Sequence, residues 1–128
     1  MPDKPLIACI DDDASVSEAI EGLLRASGFR VETFPSAEDF LKSGQMDEAL
    51  CLITDVKLGG MSGLQLQDRL AEMGRRIPTI VITAFPDERI RQRALGAGAV
   101  GFLGKPVTKN ELLGCVDLAL KRQLGGGA

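Results

Sequence analysis

The residues best suited to chemistry lie in four short polar groups, each at the end of an apolar run: Asp11-Asp12-Asp13, Thr54-Asp55, Thr83-Ala84 and Gly104-Lys105-Pro106. Singly, each has a bland explanation. An aspartate after a strand is usually a turn or cap residue, and Asp13 is expected to cap the following helix. A lone lysine is usually solvated, and a threonine at a strand end reflects β-propensity. Together they suit one kind of reaction. Three carboxylates in one place raise each other's pKa unless a cation is present. All-oxygen ligands favour a hard ion, and a partly hydrated Mg²⁺ suits a site that also receives phosphate. A lysine ammonium and a threonine hydroxyl opposite the carboxylates would meet phosphoryl oxygens. A carboxylate can itself be the nucleophile, giving an acyl phosphate.

Composition removes most rival chemistry. None of the 128 residues is histidine, which excludes Ser-His-Asp and Cys-His catalysis, histidine metal ligands and a phosphohistidine within this chain. Trp and Tyr are absent too, so base stacking would fall to five Phe. A net charge of -3, from 15 basic and 18 acidic residues, argues against a nucleic-acid surface. Hydrophobic residues at 45% are enough for one continuous core, and 26% charged residues argue against disorder. Cys9, Cys51 and Cys115 form no CxxC pair or even framework, and Cys9 and Cys51 read as buried free thiols. The longest apolar runs fall far short of the ~20 residues of a membrane helix, and the start Met-Pro-Asp-Lys lacks the longer apolar run expected of a signal peptide. These features point to a cytoplasmic protein.

The elements that must position the polar groups alternate along the chain. Apolar runs at Leu6–Ile10, Arg30–Phe34, Leu50–Thr54, Thr79–Thr83 and Val100–Leu103 read as strands, mostly continuous, as in a parallel sheet covered on both faces. Ser15–Ala26 reads as a helix with Val16, Ile20, Leu23 and Leu24 on one face. Ser36…Asp39, Ser62…Gln65 and Thr108…Glu111 are capping-box-like starts, and a further helix is expected near Pro86-Asp87, with Pro in its first turn. Gly28 and Gly98 read as helix stops. The expected fold is (βα)₅, a three-layer α/β sandwich around a five-stranded parallel sheet, over residues 1–122. Residues 123–128 read as a flexible Gly-rich tail or the start of a linker. Ligands of such sheets bind at the carboxyl ends of strands, where strand order reverses. Four of the five expected strands end in the polar groups; strand 2 ends in unreactive Phe34-Pro35.

From Leu6 to about Leu124 the sequence resembles the receiver domain of two-component response regulators. The acidic pair Asp11-Asp12, then Asp55, Thr83-Ala84, Phe102 and Lys105-Pro106 stand in family order. Gly28-Phe29, Met61-Ser62-Gly63 and Ala97-Gly98-Ala99 match as well. The resemblance implies flavodoxin-like strand order 2-1-3-4-5 and a signalling switch rather than an enzyme, with slow self-dephosphorylation at most. Asp55 would accept a phosphoryl group from a histidine kinase or phosphotransfer protein. Asp12, Asp55 and the main-chain carbonyl of Lys57 would bind Mg²⁺ directly, and Asp11 mainly through water. Lys105 would pair with phosphoryl oxygens and Thr83 would donate its hydroxyl to them. Phe102 would turn inward as Thr83 moves, small Ala84 would leave the phosphate a way in, and the Lys105-Pro106 bond would be cis. The wording Ser36-Ala-Glu-Asp-Phe40 and Phe102-Leu-Gly-Lys-Pro106 resembles regulators with a C-terminal helix-turn-helix, which implies control of transcription. Arg89, Arg91 and Arg93 suit either a solvated face or a phosphorylation-dependent homodimer through helix 4 and strand 5.

Two loops depart from the family pattern: Lys57-Leu-Gly-Gly60, whose glycines imply mobility, and Phe85-Pro86, whose ring and stiff backbone would restrict the loop before helix 4. Two rival readings stand beside the receiver reading, one of them a receiver-like scaffold that is never phosphorylated, against which the intact set of site residues counts. Asp11-Asp12-Asp13-Ala14-Ser15 also reads as the D-x-D-x-S of a Mg²⁺-dependent haloacid-dehalogenase-type phosphohydrolase, with Asp11 the nucleophile, Asp13 the acid/base and Thr83 the second motif. Against it, no acidic pair follows Lys105, there is no room for a cap, and Asp55 would have no role.

Overall fold

In the computed structural model, which describes residues 5–125, strands and helices alternate without exception. In chain order they are β1 (Leu6–Ile10), α1 (Ala14–Ala26), β2 (Arg30–Phe34), α2 (Ala37–Lys42), β3 (Ala49–Asp55), α3 (Gly63–Glu72), β4 (Thr79–Thr83), α4 (Glu88–Gly96), β5 (Gly101–Gly104) and α5 (Lys109–Gly125). The five strands form one parallel sheet in the order β2-β1-β3-β4-β5. Order therefore reverses between β1 and β3, where Asp11 and Asp55 emerge.

Alternate residues of the central strands feed different layers. Ile7 and Cys9 of β1 and Cys51 and Ile53 of β3 pack with Ile20 and Leu24 of α1 and Leu112 and Val116 of α5. Ala8, Ile10 and Leu52 point the other way, onto Phe40 of α2 and Leu66 and Leu70 of α3. Burial on both faces explains why these strands read as continuous apolar runs. Edge strand β2 exposes Glu32 and Thr33.

Local signals place most boundaries. Asp13 caps α1 by accepting from the Ser15 amide, and Ser62 and Gln65 form a reciprocal capping box on α3. Thr108 and Glu111 make the same reciprocal bonds before α5. Ser36 caps α2 through the Asp39 amide. Gly28 and Gly98 lie just past the caps of α1 and α4 with φ of 93° and 100°, a region that suits glycine. The expected role of Pro86 is corrected. Asp87 is the cap of α4, accepting from Arg89 and Ile90, and Pro86 lies before it rather than in the first turn. Strand β3 extends one residue further at each end than expected. Strand β5 begins one residue later and ends on Gly104, held by pairing with β4 despite its two glycines. Helix α5 continues to Gly125, past the expected domain end at 122, while residues 126–128 of the glycine-rich segment lie outside the described residues. Among the described residues no helix is long and apolar enough to cross a membrane.

Cys9, Cys51 and Cys115 are free, with the first two buried in the α1/α5 layer. Burial pushes the Cys9 and Cys51 thiols up to about 12. Only Cys115 is partly exposed. In the folded protein at neutral pH, iodoacetamide should therefore modify Cys115 first, with Cys9 and Cys51 reacting only after unfolding; mass spectrometry of time-resolved digests reads this. A second expectation concerns Gly63, which opens α3 against the end of β3. A Cβ there would stand 2.2 Å from the Asp55 carbonyl oxygen and 3.0 Å from Thr54 Oγ1. Gly63→Ala should destabilise the protein by ~1–3 kcal/mol in urea unfolding, as overpacking does.

Candidate phosphoacceptor site

Three backbone hydrogen bonds carry the sheet ladder past the strand ends and fix the site. The Asp11 amide donates to the Phe34 carbonyl at 3.2 Å, Val56 to Ile82 at 3.1 Å and Lys105 to Thr83 at 2.8 Å. Asp55 and Thr83 are the last residues of their strands. Side chains from loci far apart in sequence thus reach one edge of the sheet.

Asp11, Asp12 and Asp55 bring one carboxylate oxygen each within 4.8 Å of one another. Asp11 and Asp55 are buried and Asp12 is exposed, so the cluster has a closed floor and an open rim. Lys105 arrives from the end of β5. Its Nζ lies 2.8 Å from Asp55 Oδ2, in a hydrogen bond, and 2.9 Å from Asp11 Oδ2. Burial pushes the Asp11 carboxyl above the usual carboxylate range. Lys105 and the Asp13 amide, which donates to Asp11 Oδ1 at 2.9 Å, oppose this, while the charge of Asp55 adds to it. Burial disfavours the Lys105 charge, but Asp55 and Asp11 outweigh it and raise the lysine's pKa.

The donor set fits a hard cation. Asp11 Oδ2 is buried and accepts no hydrogen bond, since Lys105 meets it as an ion pair without hydrogen-bond geometry. An acceptor left so, beside two further carboxylates and an open rim, suits an oxygen-coordinated ion such as Mg²⁺.

The rest of the expected set surrounds this cluster. The Lys57 amide donates to Asp55 Oδ1 at 3.3 Å, which fixes the start of the β3–α3 loop. Thr83 is buried, and its hydroxyl accepts from the Phe85 amide at 3.1 Å. Ala84 is exposed at the opening. Phe102 is half-buried against the cluster of Val56, Leu64, Val81 and Ala94, so it joins the middle of β4 to the α3/α4 layer. The Lys105–Pro106 bond is cis. The two unusual loops meet: Lys57 Nζ lies 5.1 Å from the centre of the exposed Phe85 ring. The glycine loop is also tied at its far end, where the Met61 amide donates to Glu38 Oε2 of α2 at 2.9 Å. Sequence reasoning missed Glu38, whose partner is 23 residues away.

The phosphohydrolase reading finds no support. Asp13, its acid/base, is occupied as a helix cap by the Ser15 amide and hydroxyl. Asp55, which that reading leaves idle, sits at the centre of the cluster.

Comparison with known proteins agrees. Residues 7–117 match the response regulator receiver domain family. The chain is 42% identical over 118 residues to response regulator protein TmoT of Ectopseudomonas mendocina, covering 92% of this chain and 54% of that protein. It is 35% identical over 127 residues to transcriptional regulatory protein FixJ of Azorhizobium caulinodans, covering 99% of this chain and 60% of that one. Among solved structures, response regulator StyR superposes with a TM-score of 0.89 at 39% identity, over 96% of this chain and 62% of that one. The chain spans about half the length of the curated relatives it matches. The cluster at the switch point of the sheet, and a family match over nearly all of the chain that frames it, make this chain a member of the response regulator receiver domain family, the signalling switches of two-component systems.

Proposed function

We propose that Asp55 is the phosphoacceptor and that a histidine kinase or phosphotransfer protein is the donor. The observation that carries this is Lys105 bridging buried Asp11 and Asp55 beside exposed Asp12. A carboxylate oxygen of Asp55 attacks the phosphorus of a phosphohistidine. The new O–P bond replaces the N–P bond, and the imidazole nitrogen leaves with the electron pair and takes up a proton. Asp12, Asp55 and the Lys57 carbonyl would hold Mg²⁺ directly, with Asp11 acting through water. When bound, the ion neutralises charge on the phosphoryl oxygens. Lys105 exchanges a carboxylate partner for a phosphoryl oxygen, and exposed Ala84 leaves the approach open.

The output follows from the same contacts. A phosphoryl group brings ~-2 charge and new acceptor oxygens, and Thr83 is the hydroxyl donor beside it. Thr83 must leave the Phe85 amide to donate there, and Phe102 fills the space beside β4. That repacks α4 and β5 in a two-state manner. Arg91 and Arg93 of that face pair with Glu88 and Asp68, so movement of α4 would redistribute exposed charge and favour a homodimer through α4 and β5. In the cytoplasm, with an output segment of the kind regulators of this group carry, the effect would be control of transcription. This segment makes no nucleic-acid contact itself.

Three measurements test the reading. Millimolar Mg²⁺ should shift the backbone NMR signals of Asp11–Asp13 and Asp55; no shift contradicts the metal assignment. Asp55→Asn should abolish labelling by a phosphohistidine donor, whereas retained labelling restores the hydrolase reading with Asp11 as nucleophile. Thr83→Ala should still be labelled, but in sedimentation with beryllofluoride and Mg²⁺ it should associate less than the parent; an equal response excludes Thr83 as the relay.

A further inference from the structure

We propose that Glu38 is a positioning residue that clamps the β3–α3 loop and so holds the Lys57 carbonyl in place. The inference rests on the reading above, in which that carbonyl is a metal ligand. As a first-turn residue of α2, Glu38 would ordinarily serve the helix N-terminus alone. Here its side chain also reaches across to the loop that follows Asp55. Oε2 accepts the Met61 amide at 2.9 Å, and this bond holds the Glu38 carboxyl below its ordinary range. Oε1 is buried without a hydrogen-bond partner. Gly60 makes the approach possible, since a Cβ there would lie 2.4 Å from Glu38 Oε2.

The clamp answers a specific weakness. Between Lys57, fixed by Asp55, and Ser62, fixed by its capping box, the loop contains two adjacent glycines that lose the most entropy on ordering. Leu58 and Met61 pack their side chains against the Phe40 cluster, but hydrophobic contact sets no backbone direction. The Glu38 bond supplies one. Gly60 therefore serves close approach rather than mobility.

The test uses three single variants and one double variant in the full chain. Glu38→Ala removes the acceptor. Glu38→Gln keeps an acceptor without the charge. Gly60→Ala keeps Glu38 on α2 but displaces its carboxylate. Met61 amide exchange should rise roughly tenfold or more in Glu38→Ala and Gly60→Ala, as for loss of a bond to a charged acceptor. Mg²⁺ binding should weaken roughly tenfold in both, as when support behind a metal ligand is lost. Glu38→Gln should restore most of each, and the double Ala variant should resemble either single one, because both break one contact. If Gly60→Ala behaves as the parent while Glu38→Ala does not, Glu38 acts only on its own helix and the proposal fails. Parent-like Mg²⁺ affinity in Glu38→Ala also overturns it. Amide exchange reads the clamp without phosphate, so a parent that cannot be labelled at Asp55 refutes the phosphoacceptor reading separately.

Discussion

Two buried carboxylates side by side are the condition around which this domain is arranged. Asp11 and Asp55 stand at the ends of neighbouring strands, out of water, and Lys105 is the cation that bridges them. Removing one partner from a buried ion pair typically costs ~3–5 kcal/mol, because the remaining charge stays uncompensated. The lysine is 50 residues beyond Asp55, so the compensation exists only when β4 and β5 are in register. The Lys105 amide bond to Thr83 secures that register at the point of need.

The same arrangement leaves charge at the site unsaturated. Lys105 is shared between two carboxylates, and Asp11 Oδ2 accepts no hydrogen bond, so the negative charge is held but not saturated. Exposed Asp12 leaves the cluster open on one side. On the proposed reading, such a site would take up a cation and then an anionic group. Around it lie the Thr83 hydroxyl, engaged by one amide, half-buried Phe102, and the short β4–α4 loop before the Asp87 cap, the parts that the proposed switch would move. A charged floor held by Lys105, beside a wall of Thr83 and Phe102, is the arrangement the proposed two-state switch requires.

The fold was legible because both faces of the sheet are covered, which writes β1, β3 and β4 as unbroken apolar runs, and because Asp13, Ser62 and Thr108 mark helix starts by local hydrogen bonding. Strand β5 was shifted by one residue because pairing with β4, not propensity, holds Gly101 and Gly104. Pro86 misled because a proline before a cap and one in the first turn look alike in sequence. The carboxylates and Lys105 were legible as polar groups at strand ends. The Glu38–Met61 bond and the Lys57–Phe85 contact were not, since each joins separate segments whose approach only the fold decides. The glycines after Asp55 suggested a more mobile loop; that the Glu38 carboxylate packs against Gly60 was not legible.

The central claim is that Asp55, compensated by Lys105, is the residue that becomes an acyl phosphate. Borohydride reduction tests it directly, because an aspartyl phosphate is reduced to homoserine while a free aspartate is not. After phosphorylation by a histidine kinase in Mg²⁺ and treatment with borohydride, peptide mass spectrometry should find homoserine at position 55 and intact aspartate at positions 11, 12 and 13. Homoserine at position 11, or at none of the four, would contradict the account.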